Sequence, residues 1–286
     1  MDIAEKDCLV NPELTSETTW TMYLPASPKW SKKSGDLPGN RLKWGQIRED
    51  AVNASKLIID DEYADEIPDD FPGLANLLQL RALELDAGFA KKIKPGCLPA
   101  SLKQLLFTGD RKASWPKAIV LENICHLGAG SVKFSASNFP YLRRLGMHLG
   151  TDRNRLELLG SYSELMQLGL TAVNDNEVFT AIASNKLQGL GLSGGKLISL
   201  NSIRRLENLS ELTLSFMTGL QDITALSQLP NLRKLHLSHC KNIRDFSAIL
   251  QMEQLQDLTL YDCNADAVSK LRSQITEGSI ANLFLA

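Results

Sequence analysis

Apolar residues recur along this chain in a frame of four positions, Leu-x-x-Leu-x-Leu-x-x-apolar. Three consecutive copies are Leu209, Leu212, Leu214 and Met217; Leu232, Leu235, Leu237 and Cys240; and Leu255, Leu258, Leu260 and Cys263, each 23 residues after the last. The same frame runs upstream through Leu187, Leu190 and Leu192; Leu165, Leu168 and Leu170; Leu142, Leu145 and Met147; Leu102, Leu105 and Phe107; and Leu80, Leu83 and Leu85. Its outer members are Leu57 with Ile59, and Ile280, Leu283 and Leu285. The x-Leu-x-Leu-x core alternates with period two, which predicts a short strand with one buried face. Behind each strand lies a second apolar set at three-residue spacing: Leu200, Ile203, Leu206; Ile223, Leu226, Leu229; Phe246, Ile249, Met252. That spacing predicts short 3₁₀ or irregular turns. Residues 107 to 147 are too far apart for one unit, so an irregular unit is expected between them, with its strand at Val132 and Phe134. From 265 to 275, Ala267, Val268, Leu271 and Ile275 share one face and predict a true helix. One unit cannot cover its own apolar face, so the units must stack.

These residues resemble the leucine-rich repeat family. Leu220-Gln-Asp222-Ile223-Thr-Ala-Leu226-Ser-Gln-Leu229-Pro-Asn-Leu232 is similar to the short bacterial, internalin-type repeat, and Ile243-Arg-Asp245-Phe246-Ser-Ala-Ile249 repeats the theme. The resemblance implies an α/β fold, a leucine-rich repeat solenoid of about ten or eleven units over 51–286. It also implies a curved scaffold whose concave strand face binds another protein. The pattern departs from the family where Asn or Cys is usual: the series there is Gly88, Asp110, Gly150, Val173, Gly195, Met217, Cys240, Cys263. Only the two cysteines match the usual buried residue. Residues 1–50 stand outside the frame and hold Trp20, Trp30 and Trp44. They are expected to cap the first repeat, or else to bind a partner.

Alternation sends the residues flanking the second and third leucines to the concave face. The candidate contact residues there are Glu211, Thr213, Lys234, His236, Asp257, Tyr261 and Phe284, with Phe216, His239 and Asp262 at the strand exits. Aromatic groups beside charges are the composition of binding hot spots. In three neighbouring units the central outward position is glycine, at Gly146, Gly169 and Gly191. Stacked about 4.8 Å apart, these would form a smooth groove for a bulky side chain or inserted loop.

Composition narrows the function. The 31 Lys+Arg against 33 Asp+Glu leave a net charge of −2, without the basic excess that nucleic-acid or anionic-membrane binding shows. No apolar run reaches membrane-span length, and the start lacks a signal-peptide core, so a cytoplasmic location is expected. Five cysteines, an odd and scattered set, fit free thiols. Gly189-Leu-Gly191-Leu-Ser-Gly194 matches a dinucleotide fingerprint only in letters, because its leucines are repeat positions. His236 points outward and Cys240 inward, so they do not converge on a metal. No cofactor is expected. The reading is a non-enzymatic protein-binding scaffold, such as an immunity protein that neutralises a toxin. The alternative is an effector acting on a host protein, and a remote one is an enzyme with an acid–base pair among Asp257, Tyr261, Asp262 and His236. The strand at 280–285 presents an open apolar edge, which suggests pairing in a homodimer.

Overall fold

A computed structural model describes residues 55–59, 74–109, 111–276 and 278–286. The tryptophan segment at 1–50 and Asp110 lie outside the described residues. Contacts divide the chain into two units, Met1–Arg143 and Arg144–Ala286.

In the first unit the strands are β1 (Lys56–Ile59), β2 (Ala82–Asp86), β3 (Gln104–Thr108) and β4 (His126–Gly130), paired in parallel and in chain order. The frame leucines Leu57, Leu83, Leu85 and Leu105 are fully buried. β4 corrects the expected strand at Val132 and Phe134. The irregular unit keeps the frame as Ile124-x-x-Leu127-x-Ala129-x-x-Val132, with a small alanine where the other units carry Leu, Ile, Met or Phe. Val132 is buried as the inward residue after the strand rather than within it. Trp115, Phe139 and Phe134 fill the space behind: Trp115 and Phe139 lie 4.9 Å apart, and Phe134 meets Phe139 edge-on at 5.5 Å.

The second unit holds β5 (Arg144–His148), β6 (Gln167–Thr171), β7 (Gly189–Ser193), β8 (Glu211–Ser215), β9 (Lys234–Ser238), β10 (Asp257–Tyr261) and β11 (Asn282–Leu285). Each pairs in parallel with the next, and equivalent frame positions are in register, as in Leu190↔Leu212 and Leu235↔Leu258. The second apolar sets form 3₁₀ turns at Ile203–Arg205, Thr224–Gln228 and Ser247–Gln251. Their residues Leu200, Ile203, Ile223, Leu226, Phe246 and Ile249 are buried. Two earlier units instead place short α-helices behind the sheet, α1 (Arg153–Leu159) and α2 (Glu177–Ala181). The expected helix is α3 (Ala265–Gln274), capped by Asn264 and burying Ala267, Val268 and Leu271. Ile275 is its C-cap and is half-buried.

The position after the strand needs a second correction. Val173 and Met217 are as completely buried there as Cys240, whereas Cys263 is only half-buried. An apolar side chain of similar volume fills the same hole, so burial does not require Asn or Cys. The missing inter-repeat hydrogen bonds come from elsewhere. Asn123, Asn208 and Asn231, one residue before the first apolar position, donate through Nδ2 to carbonyls of the preceding unit at Leu102, Asn185 and Glu207. Carboxylates make a second recurring bond, with Asp152, Asp175, Asp222 and Asp245 each accepting from the backbone N–H two residues on. Those bonds start the turn behind the sheet.

Candidate protein-binding face

All the candidate contact residues lie in the second unit, and strand register sorts them into rows. The first outward row runs Glu211, Lys234, Asp257, Asn282. Here Lys234 Nζ lies 3.1 Å from Glu211 Oε1, and its hydrogen bond to that carboxylate raises the ammonium pKa. Asn282 donates to Asp257. The central row runs Gly146, Gly169, Gly191, Thr213, His236, Thr259, Phe284. Its glycine half is bare and its far end is bulky, with Phe284 half exposed.

Two of the three glycines, Gly169 and Gly191, are not required by their own surroundings. A Cβ at Gly191 would meet nothing within 4 Å, and one at Gly169 would meet only the Gly146 Cα at 3.9 Å. None of the three has a positive φ. Crowding therefore does not explain Gly169 and Gly191, and among the described residues no side chain stands over the β6 and β7 backbone there.

The strand exits hold the most unusual geometry. One residue beyond β6, β7, β8, β9 and β10 stand Ala172, Gly194, Phe216, His239 and Asp262, with φ of 59°, 67°, 54°, 55° and 48°. The backbone explains this. Each exit N–H still donates to the next strand, Phe216 to Ser238 O and His239 to Tyr261 O, both at 2.9 Å. The chain must then turn sharply into the buried ladder position. A left-handed conformation makes that turn, and a bulky side chain there is strained. The strained residues are grouped. Phe216 stacks on His239 with ring centroids 4.3 Å apart and an 18° interplanar angle. Tyr261 meets the other side of the imidazole edge-on at 5.5 Å. His239 Nε2 lies 3.6 Å from Asp262 Oδ2, and Lys241 Nζ is 2.9 Å from Asp262 Oδ1. His239 Nδ1 is buried without a hydrogen-bond partner. Phe216 and Tyr261 remain about half exposed, at 54% and 48%.

The structure thus gathers Phe216, His239, Tyr261 and Asp262 into one cluster and joins Glu211 to Lys234. Phe284 sits apart, beside Thr259. In the acid–base set, Asp262 pairs with His239 and Lys241 rather than with His236. Lys241 was missed by sequence reasoning, and its signal was positional: it follows the third frame leucine by four residues, as Lys196 does in its own unit. Among the described residues no group of three or more His, Cys, Asp or Glu is placed to hold a metal ion. Burial pushes the Cys240 thiol pKa up to about 11, which keeps it unreactive. A cavity of about 170 Å³, lined in part by Leu149, Asp152, Asn174 and Glu177, is smaller than the roughly 300–1,000 Å³ of small-molecule sites.

Strain at an exposed aromatic residue makes a testable inversion. Phe216→Gly is expected to be at least as stable as Phe216→Ala by urea unfolding. Left-handed strain of roughly 1–2 kcal/mol is relieved only by glycine, and the stack worth about 0.5–1.5 kcal/mol is lost in both. Glycine ordinarily trails alanine in stability by roughly 0.5–1 kcal/mol. Finding that usual order here would show that Phe216 carries no strain.

The family profile described as Leucine Rich repeats (2 copies) matches residues 207–251. Those residues contain β8 and β9, and the frame they carry recurs through the other described strands. Residues 207–251 are thus leucine-rich repeats, and the second unit that contains them repeats their strand-and-turn fold. Solved structures similar to this solenoid include internalin C2 from Listeria monocytogenes, at 14% identity, TM-score 0.39 and 90% coverage of each chain. A leucine-rich repeat protein of Leptospira interrogans is similar at 17% identity and TM-score 0.41, over 84% of this chain and 70% of that one. The plant peptide hormone receptor RGFR1, solved in complex with RGF2, is similar at 14% identity and TM-score 0.37, over 76% of this chain and 45% of that one. No curated protein matches by sequence. Among the described residues no helix is long and apolar enough to cross a membrane.

Proposed function

We propose that this leucine-rich repeat solenoid is a non-enzymatic scaffold that binds another protein through the outer sheet face and strand exits of its second unit. One observation carries the reading: two conformationally strained aromatic residues at neighbouring strand exits, Phe216 and His239, stack on each other and are met by the half-exposed Tyr261 from the end of the next strand. The turn needs the left-handed backbone but not a bulky side chain on it, and side chains kept in such strained positions cluster at functional sites. The bare backbone at Gly146, Gly169 and Gly191 adds a surface that a partner can approach closely. The role we favour is occlusion, as in an intracellular immunity protein covering a toxin. A rigid face made of strands suits steric blocking, because little ordering cost is left at binding.

The test is affinity capture from native lysate with the wild type and with Gly169→Leu/Gly191→Leu. The substituted face is expected to lose the partner at least tenfold, which corresponds to about 1.4 kcal/mol, with an unchanged Tm. A toxin-like partner supports the immunity role, whereas a host protein supports delivery as an effector. Equal retention of the partner by the variant would remove the glycine surface from the site.

A further inference from the structure

The exit ladder is incomplete in a specific way. Phe216 and His239 stack at 4.3 Å, close to the strand spacing of about 4.8 Å, so side chains at successive exit positions fall naturally into a ring stack. His239 covers the face of Phe216 that looks toward β9. The opposite face looks toward the exit of β7, where Gly194 contributes no side chain. A Cβ at Gly194 would meet nothing within 4 Å. One unit further on stands only the methyl group of Ala172, in the same left-handed conformation. Gly194 is thus the floor of a slot two strand spacings wide, roughly 9.5 Å between the Phe216 and Ala172 positions. One planar ring stacked at about the strand spacing from Phe216 fits that width.

We propose that this slot receives an electron-rich aromatic side chain, Trp or Tyr, from the protein partner, continuing the Phe216–His239 stack over Gly194. This rests on the binding face proposed for the second unit and names what that face takes. Charge selects the ring over a guanidinium. The nearest exit carboxylate, Asp262, is engaged by Lys241 and His239, and Glu211 is engaged by Lys234. The exposed Lys196 occupies the repeat position from which Lys241 reaches the exit residue one unit on. Its counterpart exit residue is Phe216. A cation able to reach the slot from that repeat position favours a neutral, electron-rich partner and opposes a second cation. Ser193 and Ser215 flank the floor and offer hydroxyls to an indole N–H or a phenol.

The test uses the full chain and N-acetyl-tryptophanamide, followed through the ¹⁵N amide shifts of Gly194 and Phe216, with N-acetyl-argininamide as the competing chemistry. Saturable shifts at both amides are expected for the indole, and weaker ones for the guanidinium. Gly194→Asn fills the slot with a residue that tolerates positive φ, and should weaken the indole about tenfold. Phe216→Gly removes the wall and should do the same, which keeps the test decisive if one variant fails to fold. Non-saturating shifts, unchanged affinity in both variants, or preference for argininamide overturns the proposal. Because the probe needs no natural partner, its failure is distinguishable from failure of the binding face, which the Gly169/Gly191 capture experiment measures independently.

Discussion

Replacing Asn138 by Leu is expected to lower the stability of the first unit by about 3–5 kcal/mol, read as a fall in Tm of roughly 10 °C by circular dichroism. Asn138 is 1% exposed, and its side chain supplies the hydrogen bonds that regular structure does not. Its Nδ2 donates to the carbonyls of Ile119 at 2.9 Å and Lys117 at 3.2 Å. Its Oδ1 accepts from the Ser135 backbone N–H at 2.9 Å and the Ser135 hydroxyl at 2.8 Å. Leucine matches the volume but removes these bonds. Ile119 O keeps the Trp115 indole N–H and the Ser135 hydroxyl keeps Ser137, whereas Lys117 O and the Ser135 N–H lose their side-chain partner, at about 1–3 kcal/mol for each group left unpaired away from water. Asn138→Asp separates the two halves of the explanation. It keeps the acceptor for Ser135 but turns a carboxylate toward backbone carbonyls, so at neutral pH it should be as damaging as Leu. An Asp variant as stable as wild type would show that the Nδ2 bonds contribute nothing.

The second large effect is expected at Gly195. Gly195→Ala should cost about 4 kcal/mol, combining strained backbone with a clash. Gly195 has φ of +106°, and an added Cβ would fall 2.0 Å from Val173 O and 2.5 Å from Val173 N. Both are backbone atoms tied into the repeat: Val173 N donates to Gly194 O at 3.2 Å, and Val173 O accepts from Lys196 N at 3.1 Å. Nothing flexible can move aside. Gly191→Ala, a few residues away, is the internal control. Its Cβ meets nothing, and its strand backbone suits alanine, so its Tm should match or exceed wild type. If Gly195→Ala behaved like Gly191→Ala, the close approach of the two neighbouring repeats at Val173 would be refuted.

That contrast between two neighbouring glycines shows why sequence reading stops where it does. Both lie in one repeat, and as letters they are equivalent. The fold makes Gly195 indispensable and Gly191 dispensable to folding, because only Gly195 lies against the neighbouring unit's backbone. The buried ladder behaves similarly. Val173 and Met217 look like departures from the family pattern, yet they fill the same hole as Cys240. Hydrogen bonding there has passed to Asn123, Asn208 and Asn231, whose offset of one residue before the frame was visible but carried no meaning until the carbonyls they reach were located. The displaced strand has a related cause. Ala129 is too small to stand out as a frame residue, and the larger Val132 and Phe134 shift the expected strand downstream.

For the candidate site, alternation placed Glu211, Thr213, Lys234, His236 and Tyr261 on the outer face, because a strand has only two faces and leucine occupies one. It also put Phe216, His239 and Asp262 at the exits. What alternation cannot supply is lateral distance. Residues 23 apart come within stacking range only because parallel pairing brings equivalent positions about 4.8 Å apart, and Lys241 meets Asp262 for the same reason. The left-handed conformation of the exits had two sequence traces, Gly109 and Gly194, at a frame position where other units carry Ala, Phe, His and Asp.

The sequence by itself determined the repeat, its period, the strand in each regular unit and the face that each leucine buries, since these follow from apolar spacing along one chain. Only the tertiary structure decided which glycines are compulsory, where the inter-repeat hydrogen bonds go, and that Phe216 and His239 stack beside an empty place at Gly194. Those depend on distances across units, and a local pattern contains no information about them until the units are stacked in register.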